Sequence, residues 1–318
     1  VRGNAVLGGG ASTFTMNGGS FDGTIYGDYD PAVHLSSPIV NTSNDHFVWS
    51  GGDITGSFRG QDGSDQVTLS LKSVPFNFET FTFDGGNQNS SVQKDVDVFT
   101  FQSTRVLNNF NAGKILNFEK LILDDSTVSI TQGNLFLYGY GQPFNTSIYG
   151  DLILRNNSQL TFTRGNSTDI GANILIQDKD SVLIALGSGQ ISAGNDVSNS
   201  GTISLKNGIA DTLFFVAGNY TGNGGFVSLD VDFSRTAADT IVLSHGISGN
   251  RTVQVAPLGA AASPQAIPII VTYSNPPSSA FSLHNSQVTV GAYTYKLTVE
   301  NQNFYLSPAS GVSRLSSG

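Results

Sequence analysis

The sequence predicts an all-β protein that folds as a right-handed parallel β-helix, also called a β-solenoid. Apolar and polar residues alternate with period 2 in many short segments, for example at Val67, Leu69 and Leu71, which turns one face of a strand inward and the other outward. Long segments also repeat in sequence, which a sandwich or a barrel made of similar strands does not require. No window has a sustained helical period, so we expect essentially no helix.

The first repeat lies close to the N-terminus. Residues 14–27 (FTMNGGSFDGTIYG) align with residues 47–60 (FVWSGGDITGSFRG), with a phenylalanine, a Gly-Gly pair and two further glycines at matching positions. In both copies an apolar residue, Ile25 or Phe58, follows the third glycine by two positions. The period between the two copies suits one long coil, or one and a half short coils, of a solenoid.

A second set of similar segments continues the pattern. Residues 65–69 (DQVTL) match residues 97–101 (DVFTF), and residues 76–83 and 116–123 each carry a Phe-Glu pair, separated by about two coils. From residue 150 onward, shorter strands recur between glycine or polar residues. Coils of about 20–25 residues, stacked at about 4.8 Å, predict roughly a dozen coils and a rod about 60 Å long. Because one coil cannot bury its own apolar face, stacking supplies the stability.

Composition narrows the classes of partner. The 318 residues carry a net charge of −9 that is spread along the chain, which argues against nucleic acid or an anionic lipid surface. Cysteine is absent, and no apolar run approaches the ~18–20 residues of a membrane span. We therefore expect no cofactor and no disulfide, with rigidity supplied by a long repetitive β core.

The final third of the chain carries the most specific resemblance. Its short apolar segments, most of them interrupted by glycine, are residues 220–229 (YTGNGGFVSL), 239–249 (DTIVLSHGISG), 267–271 (IPIIV) and 291–306. In this order the segments resemble the C-terminal passenger region of type V (classical) autotransporters, the pertactin-like or autochaperone segment that precedes an outer-membrane translocator barrel. The upstream glycine and Phe-Glu repeats also resemble passengers of this AIDA- and pertactin-like β-helix family.

The resemblance implies an organisation and a location. Residues 1–218 would form the β-helix passenger coils, residues 219–308 a C-terminal autochaperone-type cap of the same solenoid, and residues 309–318 a linker toward a translocator barrel outside this chain. The passenger would be secreted or held on the cell surface of a Gram-negative bacterium. The predicted folding-module residues are Gly224, Gly225, Asp239, Gly249, Tyr293 and Tyr295.

The chain offers no complete catalytic motif. A Gly-x-Ser-x-Gly elbow is absent, and the nearest segment, residues 246–249, is one residue short. Loops or strand faces are the expected positions of the four histidines: His34, His46, His245 and His284. We therefore predict no catalytic residue and no enzyme.

Acidic turns supply the remaining site candidates. Asp28, Asp30, Asp62 and Asp65 lie near predicted turns, where a β-helix polysaccharide lyase or hydrolase would use converging carboxylates. Residues 60–67 (GQDGSDQV) half-match a calcium-binding nonapeptide, which makes Asp62 and Asp65 calcium candidates, but no tandem copy follows. Because Asp is also an ordinary turn residue, turns without a metal are the favoured interpretation.

The candidate contact surface is the N-terminal half, residues 14–130. The candidate binding residues are Tyr26, Asp28, Asp30, Trp49 and Arg59. The aromatic members would either form an exposed patch for a ligand or lie in the core or a groove. The predicted partner is a host cell-surface protein or glycan, and self-association is a second partner class because solenoid ends expose sheet edges.

Three functions compete. The leading one is host-cell binding, as an adhesin or virulence factor, and the alternative is a soluble effector that acts on a host receptor. The third is a polysaccharide lyase or hydrolase with a groove along the β-helix. Convergence of Arg59 or Arg105 with Asp62 or Asp65 in one groove would favour the enzyme.

Overall fold

The described part of the protein is built almost entirely of strands. The computed structural model describes residues 1–29, 43–71, 80–86, 95–137, 149–163, 168–187 and 189–309. Within these ranges no α-helix forms, and the helical elements are short 3-10 turns, one of them at Ala112–Lys114. The predicted all-β class is confirmed. No helix in the described ranges is long and apolar enough to cross a membrane.

The strands are short in most of the chain and long near both ends. The first fifteen are β1 (Ala5–Val6), β2 (Thr13–Tyr26), β3 (His46–Arg59), β4 (Gln66–Leu69), β5 (Phe81–Asp84), β6 (Val98–Gln102), β7 (Arg105–Asn111), β8 (Ile115–Leu116), β9 (Lys120–Asp124), β10 (Thr127–Gln132), β11 (Leu135–Phe136), β12 (Asp151–Arg155), β13 (Gln159–Phe162), β14 (Thr168–Gly171) and β15 (Asn173–Ile176). The others are β16 (Val182–Ala185), β17 (Gln190–Ala193), β18 (Val197–Asn199), β19 (Thr202–Ser204), β20 (Leu213–Val216), β21 (Tyr220–Asp232), β22 (Ala237–Ala238), β23 (Thr240–Leu243), β24 (Ile247–Pro257), β25 (Ile267–Thr272), β26 (Ser282–Leu283), β27 (Val288–Val290), β28 (Tyr293–Glu300) and β29 (Asn303–Pro308).

The strands stack in parallel on three faces. The first face contains β4, β6, β9, β12, β15 and β18, and the second contains β7, β10, β13, β16 and β19. The third contains β11, β14, β17, β20, β23 and β25. The long strand β21 pairs with strands of two faces, β18 and β19, and the long strand β3 pairs with both β4 and β5. This is a parallel β-helix, as predicted, and its right-handed sense stays a prediction.

The sequence repeats correspond to coils of this helix. Phe14 pairs with Phe47, and Ile25 pairs with Phe58, so the first repeat is one long coil. The next coil is shorter, because Phe47 also pairs with Val67. Val67 then pairs with Phe99, so the segments 65–69 and 97–101 are again one long coil apart. The predicted coil length was therefore too short for the long coils.

The longer coils differ from the prediction because they carry extra residues between strands. Residues 72–79 and 87–94, both within the coil that joins Val67 to Phe99, lie outside the described residues. The first of the two Phe-Glu pairs falls there as well, whereas Phe118 and Glu119 of the second pair are both buried. The structural equivalence of the two pairs is thus not tested.

Inward side chains form continuous columns through the rod. On the first face the residues in one column are all buried and pair in register, namely Trp49, Leu69, Phe101, Leu123, Leu154 and Ile176. Aromatic rings pack closely in the N-terminal half, where the ring centroids of Phe83 and Phe99 are 4.9 Å apart. Because each ring is shared between neighbouring coils, burial of apolar area stabilises the stack rather than any single coil.

An antiparallel hairpin ends the third face. β29 pairs antiparallel with β25, with Ile267 opposite Leu306, and β28 and β27 extend this sheet. The hairpin covers the edge of β25, which would otherwise present unpaired backbone groups. The boundary at residue 218 and the autochaperone role stay predictions, and the predicted linker lies outside the described residues beyond Ala309.

Replacing Gly56 by alanine should destabilise the N-terminal coils by roughly 2–4 kcal/mol, through backbone strain and steric overlap. Gly56 has φ +115°, and a Cβ atom there would overlap the carbonyl oxygen of Gly23 on the preceding coil. Urea denaturation of the purified chain would measure the loss. Gly18→Ala is the matched control, since its Cβ would meet nothing within 4 Å. Equal stability of the two variants would contradict the stacking of Gly23 on Gly56.

Candidate functional site

Trp49 lies in the core and not on a ligand-binding surface. It is fully buried, its ring centroid is 5.9 Å from that of Phe81, and its Nε1 donates a hydrogen bond to the Gly52 carbonyl at 3.3 Å. It occupies the inward position opposite Met16 on the preceding coil. The core interpretation is confirmed, and the exposed aromatic patch is corrected because strand alternation turns this ring inward.

Tyr26 and Arg59 are neighbours in register with different exposure. Tyr26 is 9% exposed at the end of β2, where Val6 of β1 pairs with it. Arg59 is exposed at the end of β3 and pairs with Asp84 of β5. Burial raises the pKa of Asp84, and the charge of Arg59 opposes that shift. Of the two residues, Arg59 is therefore the one accessible to a partner.

Asp28 and Asp62 join two adjacent coils at a corner. Asp28 accepts a hydrogen bond from the Ser43 hydroxyl at 2.5 Å and from the backbone N–H of Asp62 at 3.3 Å. The Gln61 side chain accepts the backbone N–H of Asp28 at 3.0 Å. Burial raises the pKa of Asp28 to about 6. Asp30 lies outside the described residues.

The calcium candidates do not come together as a metal site. Burial and the nearby charge of Asp95 raise the pKa of Asp62, whereas Asp65 is fully buried and accepts the backbone N–H of Asp45 at 2.7 Å. Across the described ranges, no group of three or more His, Cys, Asp or Glu side chains could hold a metal ion. In residues 60–67, which half-match the calcium-binding nonapeptide, the Asp65 carboxyl group instead accepts a backbone N–H group of the preceding coil.

The arginines and histidines do not converge with these acids. Arg105 pairs with Asp125 at 3.4 Å, and no ion pair in the described ranges joins Arg59 or Arg105 to Asp62 or Asp65. His46 is half-buried and bonds the Thr68 hydroxyl at 2.9 Å; His245 and His284 are exposed, and His34 lies outside the described residues. The arrangement that would favour an enzyme is absent from the described ranges.

Sequence reasoning missed a ladder of buried carboxyl groups. Asp45, Asp65, Asp97 and Glu119 occupy the same corner of four consecutive coils and are at most 4% exposed. The backbone N–H of Asp45 donates to Asp65 at 2.7 Å, that of Asp65 to Asp97 at 2.6 Å, and that of Asp97 to Glu119 at 2.6 Å. We call these four residues the carboxyl ladder. Its signal in the sequence is an acidic residue directly before each of the four consecutive strands β3, β4, β6 and β9.

A neutral ladder at another corner performs the same capping without charge. There the backbone N–H of Thr104 donates to Ser126, that of Ser126 to Ser158, and that of Ser158 to Ser181, each at 3.0–3.1 Å. Buried N–H groups need an acceptor, and a hydroxyl satisfies that need at low cost. The carboxyl ladder is therefore not required by backbone geometry alone.

The predicted folding-module residues lie in two places. Asp239 is fully buried and accepts the N–H groups of Thr212 and Asp230 at 2.9 and 2.7 Å, and burial raises its pKa to about 7. Tyr295 is fully buried, with its ring centroid 4.4 Å from that of Phe233 and its hydroxyl donating to the Ser263 carbonyl. Asp239 thus joins β21 to the segment before β20, and Tyr295 packs the hairpin against Phe233.

The other folding-module residues lie along the strands themselves. Gly224 and Gly249 have φ of +84° and +83°, whereas Gly225 packs against the backbone oxygen of Asn199, where a Cβ would lie 2.5 Å away. Tyr293 is half-buried, with its ring 6.4 Å from that of Tyr295. Gly225 and Gly249 allow close stacking of the coils, whereas a Cβ at Gly224 would meet nothing within 4 Å. The role of these glycines in folding stays a prediction.

Arg251 is a buried cation that the sequence did not reveal. It is 3% exposed and donates to the Ala280 carbonyl at 2.7 Å and to the Tyr220 carbonyl at 3.4 Å. Its guanidinium carbon lies 5.3 Å from the ring centroid of Tyr220 and 4.9 Å from that of Phe281. Burial lowers its pKa. Arg251 thus links strands β21 and β24 to the segment before β26.

A cleft of about 490 Å³ lies beside the turn between β21 and β22. Arg235 and Asp232 form an ion pair at 3.4 Å on its wall, and Ile209 and Leu258 supply aliphatic surface. A hydrogen bond from the Ser234 hydroxyl lowers the pKa of Asp232. A carboxyl that stays ionised beside an arginine suits binding of a polar ligand better than proton donation.

The first face also carries an unbroken row of outward side chains. We call it the outward row, and its members pair in register from coil to coil: Thr15, Val48, Thr68, Thr100, Ile122, Ile153, Leu175, Ser198, Thr221 and Ser248. All are exposed or half-buried. Hydroxyl groups dominate both ends and aliphatic groups the middle. Stacked coils of this kind define an elongated β-helix whose accessible side chains lie on its outer faces and corners.

Part of this β-helix matches a protein-family model, and the chain is similar to known proteins. Residues 193–308 match the family model described as Pertactin. The chain is similar to the probable autotransporter YfaL of Escherichia coli K12, with 34% identity over 122 residues that cover 36% of this chain and 10% of YfaL. It is also similar to the uncharacterized protein YuaQ of that strain, with 26% identity over 164 residues that cover 46% of this chain and 12% of YuaQ. The chain thus spans about a tenth of the length of these relatives.

A solved structure is similar as well. The crystal structure of the Haemophilus influenzae Hap adhesin aligns with 93% of this chain and 39% of its own, at 15% identity and a TM-score of 0.40. The fold assignment depends instead on the strand pairings described above. The match over residues 193–308 and the similarity to a probable autotransporter support the interpretation of the chain as a type V autotransporter passenger with a pertactin-like C-terminal region. It is accordingly secreted or surface-exposed in a Gram-negative bacterium.

Proposed function

We propose that this passenger is a non-enzymatic protein that binds host cells through its N-terminal half, as an adhesin or virulence factor. The observation that carries the proposal is the outward row together with the corner residues. Three of its N-terminal members, Thr15, Thr68 and Thr100, present hydroxyl groups along the rod. A repeating polar surface of this kind suits contact with an extended protein or glycan.

The absence of convergent acid–base groups in the described ranges supports binding over catalysis. Asp28 and Asp62 are joined to backbone and hydroxyl groups of their own corner, and neither forms an ion pair with Arg59. Arg59 is exposed at the edge of this corner. It is therefore the charged residue of the candidate set that a partner would reach first.

The experiment is binding of the purified chain to cultured host cells. The double variant Thr15→Lys, Thr100→Lys should lower binding at least about tenfold, equivalent to about 1.4 kcal/mol, because it interrupts the N-terminal part of the outward row. The double variant Thr221→Lys, Ser248→Lys is the matched control, since both positions lie in the same row near its C-terminal end. If only the control double variant lost binding, the contact surface would lie at the C-terminal end of the outward row and not in the N-terminal half.

A signalling measurement on the same cells separates the two non-enzymatic functions. Binding with a receptor response would favour the soluble effector, and binding without one would favour the adhesin. Cleavage of a host glycan without stable binding would reverse the proposal in favour of a lyase or hydrolase. Sedimentation of the purified chain tests self-association, and the family further implies a translocator barrel as partner within the full-length protein.

A further inference from the structure

Among the residues that the structure describes, no cation lies within ion-pair distance of the three aspartates of the carboxyl ladder. None of the ion pairs found in the described ranges includes Asp45, Asp65 or Asp97. The nearby charges that raise the pKa values of the ladder come from its own members and from two further acids, Asp28 and Asp95. Ionised carboxylates at this corner would therefore be buried among further negative charge. Isolated buried charges of this kind are strongly disfavoured and become neutral instead.

Cationic residues next to the ladder point away from it. His46 follows Asp45 in the chain, but its ring bonds the Thr68 hydroxyl of the outward row at 2.9 Å. Lys120 follows Glu119 and is half-buried on the outward side of β9, as strand alternation requires. The ladder thus receives backbone N–H groups from its own column, while the basic side chains that adjoin it in sequence face outward.

Two ladder oxygens lack any hydrogen-bond partner. Asp45 Oδ2 and Asp65 Oδ2 are buried and unpaired. Each lies against a glycine of an adjoining strand end, where a Cβ added to Gly27 would be 2.6 Å from Asp45 Oδ2 and one added to Gly60 would overlap Asp65 Oδ2. These contacts leave no room for a hydrated ion. A proton is the ligand that fits an orphaned carboxyl oxygen in such a space.

We propose that the carboxyl ladder binds protons as the rod folds and is held as neutral carboxyl groups in the native protein. Burial raises the pKa of Glu119 to about 7, that of Asp65 to about 8 and that of Asp97 to about 9. Burial also raises the pKa of Asp45. In an unfolded chain these groups ionise near pH 4. The folded rod therefore holds protons at neutral pH that the unfolded chain has released.

The sign of the pH dependence follows from this difference. Below about pH 4 both states are protonated, and the ladder imposes no penalty on folding. As pH rises toward 7–9, the unfolded state loses protons that the folded state retains, so stability falls. Each such group lowers the ratio of folded to unfolded protein about tenfold per pH unit between its two pKa values. The N-terminal coils should thus be most stable in mild acid.

The test is chemical denaturation of the full chain from pH 5 to pH 9, with Asp97→Asn and Asp65→Asn as variants. Asparagine keeps the oxygen that accepts the N–H group and cannot ionise. We expect wild-type stability to fall as pH rises. In each variant the ratio of folded to unfolded protein should fall less steeply, by about one tenfold step per pH unit, so that the variant is more stable than the wild type near pH 9. Asp53→Asn, at an exposed position of β3, should leave the slope unchanged.

A wild-type stability that is constant or rises from pH 5 to pH 8 would overturn the proposal. Variants that are less stable at every pH, with the wild-type slope, would also overturn it, because the ladder would then be only a backbone acceptor. Infrared spectroscopy of the wild type gives a readout that does not depend on any variant folding. The carbonyl band of protonated carboxyl groups should be present at pH 7 and decline toward pH 10, and its absence at pH 7 would refute proton binding.

Discussion

Replacing Trp49 by alanine should lower the free energy of unfolding by about 3–5 kcal/mol, the usual cost of removing a large aromatic side chain from a packed core. Trp49 is fully buried and contacts the rings of Phe47 and Phe81, with centroids 6.3 and 5.9 Å away. The coils before and after it cannot close the cavity without shifting their own register. Urea denaturation would measure the change. It should be monitored by far-UV circular dichroism, because the variant lacks the tryptophan fluorescence signal.

The control for this variant is an exposed aromatic residue. Tyr273 is 72% exposed, so Tyr273→Ala should change stability by less than about 0.5 kcal/mol. Host-cell binding by the fraction of Trp49→Ala that remains folded should match the wild type, since the ring reaches no surface. A variant of unchanged stability that had lost binding would return Trp49 to the candidate contact residues.

The sequence predicted the stacking of the coils because equivalent positions of a sequence repeat are the positions that pair between adjacent coils. A residue that must lie above its counterpart on the previous coil tends to be of the same type, so Phe14 and Phe47 could be matched from the sequence alone. Coil length was harder to predict, because extra residues between two strands leave the alternation within each strand unchanged. The sequence left Trp49 as either an exposed ligand contact or a core or groove residue, and its repeat position opposite Met16 favoured the second alternative. In the structure, strand alternation places it on the same face as the buried Phe47.

The carboxyl ladder and Arg251 could not be predicted in the same way. An aspartate before a strand is an ordinary turn residue, and only the packing of adjoining glycines buries it. Asp65 and Asp97 do share a repeat position, but that repeat says nothing of exposure. Arg251 lies in a segment that reads as exposed strand. Its burial depends on Phe281, which belongs to a later coil and is distant in sequence.

Replacing Arg251 by alanine should cost about 3–5 kcal/mol, because charge-assisted hydrogen bonds to two carbonyls and contacts with two rings are lost together. Arg251→Met should recover roughly half of the loss, since methionine fills the space between Tyr220 and Phe281 without burying a charge. Arg235→Ala, at a side chain that is 83% exposed, is the control and should cost less than about 1 kcal/mol. Denaturation at fixed pH would rank the three variants.

Refolding kinetics of the same proteins test the folding module. If residues 219–308 form the folding nucleus, most of the free energy of unfolding that Arg251→Ala removes should appear as slower refolding. The loss in Trp49→Ala should appear mainly as faster unfolding. The reasoning is that Arg251 joins three segments of the C-terminal region, β21, β24 and the stretch before β26, and must be in place before coils can stack upon them. The opposite pattern, with Trp49→Ala slowing refolding, would place the nucleus in the aromatic N-terminal coils and remove the autochaperone role from the C-terminal region.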